Sequence, residues 1–106
     1  MKKVLLACAG GMSSAIAAKS LQDAAQAAGK DVEVHEASSQ AFEDEITKDY
    51  VLALVAPQIR HRFDHLKELA DQNNVPILLV APKGYTPIGG KFLLKQITDE
   101  LGDILD

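Results

Sequence analysis

The chain has 106 residues, of which 47% are hydrophobic and 25% charged, and its formal net charge is −4. These values are ordinary for a globular protein, and the length suits one domain spanning residues 1–106 with a substantial core. The net negative charge and the absence of a basic stripe argue against nucleic-acid binding. No apolar stretch approaches the ~20 residues needed to cross a bilayer, so membrane insertion is not expected.

Cys8 is the only cysteine, which excludes an internal disulfide and a cysteine-rich zinc site. A lone cysteine suits a reducing compartment. The apolar run at residues 4–7 follows two lysines but is far too short for an export signal. The sequence therefore favours a cytoplasmic location.

The first half of the chain predicts two strands and a long helix. Residues 4–7 are continuously apolar, as expected for a central strand covered on both faces. Ser13 or Ser14 can cap a helix that continues to about residue 28, stops at Gly29, and buries Ile16 among other apolar positions. Residues 31–36 alternate between apolar and charged, which is typical of a strand near the sheet edge.

The second half of the chain repeats the alternation. Residues 38–48 predict a short helix or turn, and residues 50–56 a fully apolar strand that ends at Pro57. A helix is predicted over 58–73, a strand over 75–80, and a loop over 81–90 because this segment is rich in proline and glycine. The last helix is predicted over 91–105, with Phe92 among its buried residues.

Strands that alternate with helices predict an α/β fold with a four-stranded parallel sheet and helices on both faces. Right-handed crossovers and the two most apolar strands at the centre give the strand order 2-1-3-4. In such sheets the active crevice lies beyond the carboxyl ends of the strands. The loop after the first strand lies there, and we expect Pro57, Gln58 and Tyr85 at the crevice rim.

Cys8 stands where the first strand ends, before a small-residue loop that opens a helix. Free backbone amides in such a loop, and the partial positive charge of the helix start, favour an anion. Both would favour a thiolate, and equally a phosphoryl group carried on the sulfur. The competing interpretation is a small buried hydrophobe, which is the usual state of an unpaired cysteine within a strand.

Three known anion-binding loops can be compared with this segment. Gly10-Gly11 lacks the spacing of a dinucleotide-binding loop, and no Gly-Lys-Ser/Thr follows as a Walker loop requires. A cysteine-phosphatase loop is closer, but its phosphate-clamping arginine, six positions beyond the cysteine, is replaced here by Ser14. A neutral hydroxyl cannot stabilise a hydrolytic transition state as a guanidinium does. Such a loop could hold a phosphocysteine without readily giving it to water.

The whole chain resembles the enzyme IIB component of the bacterial sugar phosphotransferase system, lactose/cellobiose family. Two segments carry the resemblance: residues 8–14, similar to that family's Cys-x-x-Gly-Met-Ser-Ser/Thr loop, and residues 56–59, similar to its Gly-Pro-Gln-Ile segment. Ala56 stands where glycine is usual, and Gly10 where a small non-glycine residue is common. Neither departure affects the nucleophile.

The resemblance implies a fold like that of low-molecular-weight tyrosine phosphatases and no cofactor. It implies that Cys8 accepts a phosphoryl group from a phosphohistidine of enzyme IIA and passes it to a sugar, such as cellobiose, lactose or chitobiose, held by membrane enzyme IIC. The phosphoryl oxygens would be bound by backbone amides of the loop, and the hydroxyls of Ser13 and Ser14 would be extra donors. The phosphate-binding residues implied are Ala9, Gly10, Gly11, Met12, Ser13 and Ser14. We expect a monomer that docks transiently.

Two rival functions remain open on the sequence: a low-molecular-weight cysteine phosphatase, and a noncatalytic regulatory module of the same fold. His61 and His65 share one face of a predicted helix, but no cysteine or carboxylate pair completes a site, so no metal is expected. The Arg60-His61-Arg62 cluster follows Pro57-Gln58 near the crevice rim. It could attract an acidic partner or phosphate, or it could be a solvated helix surface.

Overall fold

The computed structural model describes residues 1–9 and 12–106, excluding the side chains of Met12 and Ser13. Within these residues the strands are β1 (Lys2–Cys8), β2 (Val32–Ser38), β3 (Leu52–Val55) and β4 (Ile77–Leu79). The α-helices are α1 (Met12–Ala27), α2 (Phe42–Glu45), α3 (Phe63–Gln72) and α4 (Gly90–Leu101). Two 3₁₀ helices, Pro57–Arg62 and Pro82–Gly84, follow β3 and β4.

The strands form one parallel sheet in the order β2-β1-β3-β4. The predicted α/β class, strand order and edge position of the second strand are confirmed. In the register of the sheet, Cys8 lies opposite Ser38 and Ala7 opposite Val55. The carboxyl ends of β1, β2 and β3 therefore meet at one edge, as the crevice prediction requires.

Helices cover both faces of the sheet because alternate residues of the central strands point in opposite directions. Val4 and Leu6 of β1 pack in the cluster that contains Leu21 of α1 and Ile97 of α4. The opposite face is built against α2 and α3, and its cluster includes Leu5, Ala7, Phe42, Leu66 and Cys8 itself. Cys8 thus lies where the core of this second face reaches the carboxyl edge of the sheet.

Two predicted helices, and two residues expected to be buried, differ from the structure. The helix predicted over 58–73 is a 3₁₀ helix followed by α3, since Ile59 has non-helical torsion angles (φ −117°, ψ 27°) while its side chain is buried. The last helix ends at Leu101 because Gly102 has φ +76°. Phe92 and Ile16, expected to be buried, are 53% and 43% exposed.

Candidate functional site

Cys8 is the last residue of β1, as predicted, and only 3% of it is exposed. Its Sγ donates a hydrogen bond to the carbonyl oxygen of Ala37 on the neighbouring strand, at 3.5 Å. The sulfur therefore lies at the carboxyl edge but beneath the surface. Reaction with a group on another protein requires it to become more accessible than it is in this structure.

The loop after Cys8 leads directly into the first helix. Ala9 is exposed, and α1 begins at Met12, so the backbone N–H groups of the helix start lie a few residues beyond the sulfur in the sequence. Ser13 or Ser14 was predicted to be the N-cap of this helix, but both lie inside its first turn, so neither is the N-cap. The proposed phosphate-binding amides of Gly10 and Gly11 lie outside the described residues, as do the side chains of Met12 and Ser13.

Ser14 is only 1% exposed, and its hydroxyl donates a 2.7 Å hydrogen bond to Oε1 of Glu36. Glu36 lies on β2, two residues before the partner of Cys8 in the sheet. Hydrogen bonds to charged acceptors are among the stronger ones in proteins. The Ser14 proton is thus directed at the carboxylate of Glu36.

Tyr85 follows the 3₁₀ helix Pro82–Gly84 and packs against the clusters on both faces of the sheet. The pKa of Tyr85 is raised to about 12, mainly by burial; the negative charges that Cys8 and Glu36 can carry act in the same direction, whereas a hydrogen bond with Ser14 opposes them. The Tyr85 hydroxyl is therefore protonated at neutral pH and lies near all three residues. A protonated hydroxyl can donate a hydrogen bond, so Tyr85, which was predicted at the crevice rim, is a candidate donor to an anion in the site.

Pro57 and Gln58 lie at the same edge of the sheet. The amide of Ala56 donates to the carbonyl of Ala7 at 2.9 Å, which places Pro57 beside the end of β1. Pro57 is half-buried and Gln58 exposed. Within the described part of the chain, no hydrogen bond of the Gln58 side chain is found, and its place at the crevice rim stays a prediction.

Glu36 was missed from the sequence, although the strand alternation offered a signal. Val32, Val34 and Glu36 point to the same face of β2, and the two valines pack toward α1. Glu36 is itself exposed, so this pattern alone does not require a partner. Its place at the end of an apolar face, next to the end of β1, was the signal that could have made it a candidate for the site.

Neither a metal centre nor a membrane span is found in what the structure describes. His61 and His65 are exposed, and within residues 1–9 and 12–106 no group of three His, Cys, Asp or Glu residues is arranged to hold a metal ion. Among the described helices, none is long and apolar enough to cross a bilayer.

Comparisons with known proteins point to one family. The model of the family described as "PTS system, Lactose/Cellobiose specific IIB subunit" matches residues 3–96. The chain is 28% identical over 96 residues to the oligo-beta-mannoside-specific EIIB component of the phosphotransferase system of Bacillus subtilis strain 168, covering 91% of this chain and 92% of that protein.

Two solved structures share the fold. The lactose-specific IIB component domain of Streptococcus pneumoniae superposes with a TM-score of 0.74 at 24% identity, covering 90% of this chain and 95% of that one. The cellobiose-specific IIB component of Borrelia burgdorferi gives a TM-score of 0.70 at 19% identity, covering 99% and 95%. These likenesses confirm the predicted fold class.

Proposed function

We propose that this chain, which belongs to the lactose/cellobiose-specific IIB subunit family of the phosphotransferase system, carries a phosphoryl group on Cys8 between two partner proteins. The family gives it a general phosphotransferase role. The finer proposal is that the donor is a phosphohistidine of enzyme IIA and the acceptor a sugar bound by membrane enzyme IIC.

Both steps exchange one bond to phosphorus for another. In the first, the deprotonated sulfur of Cys8 attacks phosphorus, the S–P bond forms, and the P–N bond breaks with its electron pair returning to the histidine nitrogen. In the second, a sugar hydroxyl oxygen attacks phosphorus while its proton is released, the O–P bond forms, and the S–P bond breaks to regenerate the thiolate. Nothing is oxidised or reduced.

The observation that carries the proposal is the meeting of three features at one edge of the sheet. They are the thiol at the end of β1, the start of α1 a few residues later, and a protonated Tyr85 hydroxyl beside them. Amides at a helix start stabilise an anion, and Tyr85 can donate to a phosphoryl oxygen. Ser14 supplies no positive charge, which suits a group that must be held rather than hydrolysed.

We further propose a β-linked disaccharide as the sugar. The three relatives are described as specific for oligo-beta-mannosides, lactose and cellobiose, which all contain β-glycosidic linkages. The sugar itself would be bound by enzyme IIC, so this assignment rests on the relatives' descriptions alone.

Incubation with phosphorylated enzyme IIA of this family tests the proposal. Intact-mass spectrometry should detect one phosphoryl adduct on the chain, and Cys8→Ser should acquire none. Absence of the adduct on the unmodified chain would favour a noncatalytic module. A generic phosphate monoester provides the second arm, in which sustained Cys8-dependent turnover would identify a phosphatase instead.

A further inference from the structure

The segment Arg60–Arg62 is held beside the candidate site by the core. It belongs to the 3₁₀ helix that begins at Pro57, next to the end of β1. Ile59, which precedes the segment, is 5% exposed and lies in the same core cluster as Cys8. Phe63, which follows the segment, packs against that cluster. The backbone of the segment is therefore anchored at both ends, while Arg60, His61 and Arg62 are exposed.

The arginines differ from most lysines of this chain in having no carboxylate partner. Five lysines have an Asp or Glu oxygen within 4.0 Å: Lys19, Lys30, Lys48, Lys67 and Lys95. Arg60 and Arg62, the only two arginines in the sequence, have none among the residues that the structure describes. A molecule with a net charge of −4 thus presents two unneutralised guanidinium groups on a fixed turn at the edge that contains Cys8.

We propose that the segment Arg60–Arg62 is the docking surface for an acidic patch on the phosphoryl donor protein. The inference rests on the proposed function, since it assigns the surface through which the donor is recognised. Guanidinium groups match carboxylates with paired, directional hydrogen bonds. Two arginines are too few for an anionic membrane surface, which is typically bound by clusters of 4–8 basic residues.

Charge also distinguishes the donor from the acceptor as the occupant. A loaded donor carries about −1.5 to −2 charges on its phosphoryl group, so it is attracted to the arginines while Cys8 is empty. After transfer the same charge lies on Cys8, at the same edge of the sheet. The phosphoryl group on Cys8 then partly neutralises the positive potential of the arginines, which favours release of the unloaded donor. The acceptor binds this chain only after that positive potential has been weakened.

The test is the rate of phosphoryl transfer from phosphorylated enzyme IIA, followed by quenched-flow intact mass at low and at physiological ionic strength (about 0.15 M). The variant Arg60→Gln/Arg62→Gln should lower the second-order rate constant about tenfold at low salt. It should also flatten the salt dependence and leave the final phosphorylated fraction unchanged. Arg60→Lys/Arg62→Lys keeps both charges and should retain most of the rate.

Lys48→Gln is the matched control. It removes the same charge per substitution from an exposed residue, but precedes β3 and so lies at the opposite edge of the sheet. It should change the rate less than twofold. Unchanged transfer in the double Gln variant, with thermal unfolding as in the parent, would overturn the inference, as would losses equal to that of Lys48→Gln.

A membrane-binding role for the arginines would also overturn the inference. It would be detected if the chain bound phosphatidylcholine/phosphatidylserine vesicles and the double Gln variant lost this binding but kept its rate of phosphoryl transfer. If the unmodified chain acquires no phosphoryl group at all, the proposed function fails and this inference fails with it. If the unmodified chain is phosphorylated at a rate that the arginines do not influence, only the docking surface is wrong.

Discussion

At the scale of single residues, the bond from Ser14 to Glu36 holds the two sides of the candidate site together. Ser14 lies in the first turn of α1 and Glu36 near the end of β2, so the bond spans the helix that follows Cys8 and the strand beside it. The sequence could place Ser14 near Cys8 because only six positions separate them. It could not supply the partner, which is 22 residues away and is brought close by the parallel register of β1 and β2.

Loss of the Ser14 hydroxyl should therefore weaken the fold. Ser14→Ala removes a buried donor to a carboxylate, and we expect the free energy of unfolding to fall by about 1–3 kcal/mol. Urea denaturation measures the change. Ser39→Ala is the control, because its half-buried hydroxyl has no hydrogen-bond partner among the described residues, and it should remain within about 0.5 kcal/mol of the parent. Equal stabilities of the two variants would contradict this assignment.

Tyr85 should contribute to transfer rather than to folding. Its hydroxyl is protonated at neutral pH and lies near Cys8, Ser14 and Glu36, so it can donate to a phosphoryl oxygen as charge develops. Tyr85→Phe should slow phosphorylation by phosphorylated enzyme IIA about tenfold, as expected for the loss of one hydrogen bond to a charged group. The rate is read from quenched intact mass.

The other tyrosine provides the control for this substitution. The Tyr50 hydroxyl donates to Glu45 at 2.7 Å, and Tyr50 precedes β3, at the edge of the sheet opposite Cys8. Tyr50→Phe should leave the transfer rate unchanged. A Tyr85→Phe chain that transfers as fast as Tyr50→Phe would remove Tyr85 from the proposed mechanism.

At the scale of elements, apolar periodicity predicted the strands, because their patterns follow from burial. It missed the places where single residues bend the backbone. The continuous apolar runs of β1 and β3 and the alternation of β2 gave the sheet correctly, because these patterns follow directly from which faces are covered. The interruption at Ile59 leaves no trace in the apolar spacing. Phe92 fits the buried stripe of α4 in sequence, yet its ring is exposed beneath the ammonium of Lys83, 5.5 Å from the ring centroid.

The contact between α1 and α4 depends on a glycine that the sequence assigned to a loop. Gly90 is the first residue of α4, and its amide donates to the Ser20 hydroxyl of α1 at 2.9 Å. A Cβ at this position would lie 2.1 Å from the Ser20 carbonyl oxygen. Gly90→Ala must therefore separate the two helices, one carrying Ser14 and the other following the loop that carries Tyr85.

We expect Gly90→Ala to destabilise the fold by about 1–3 kcal/mol, the usual range for overpacking, with a lower melting temperature by calorimetry. Gly29→Ala tests a different cost, since Gly29 has φ +78° and nothing within 4 Å of an added Cβ. Its penalty comes from conformation alone and should be about 1 kcal/mol. Only Gly90→Ala should also slow phosphoryl transfer, and a Gly90→Ala chain with the parent's stability would show that the helices tolerate the added methyl.

At the scale of the whole molecule, topology explains why the edge of the site was predictable and its interior was not. Parallel strands bring their carboxyl ends to one edge whatever the side chains are, so Cys8, Pro57 and Tyr85 could be placed there from the element order alone. The depth of the sulfur depends on how side chains pack around the end of β1, which the order of the elements does not give. Cys8 packs in the cluster on the face of α2 and α3 and is 3% exposed.

The two tyrosines, one near each end of the sheet, make the stability of the fold sensitive to alkaline pH. Burial, and then the hydrogen bond to Glu45, raise the pKa of Tyr50, while burial raises that of Tyr85 to about 12. In the unfolded chain both ionise near their ordinary pKa of about 10. The folded state thus retains protons that the unfolded state releases, so the stabilisation is complete below pH ~10 and is lost as the pH rises toward ~12.

Urea denaturation across this range should show a fall in unfolding free energy that becomes shallower in Tyr85→Phe and Tyr50→Phe and shallowest in the double variant. Any fall in unfolding free energy that remains in the double variant is due to other groups, such as lysines, which titrate in the same pH range. The difference from the parent is the contribution of the two tyrosines. Tyrosinate absorbance gives the independent reading. The native chain should show little of it at pH ~11, where urea-unfolded chain is largely ionised, and a native titration midpoint near pH 10 would mean that neither hydroxyl is held as the packing requires.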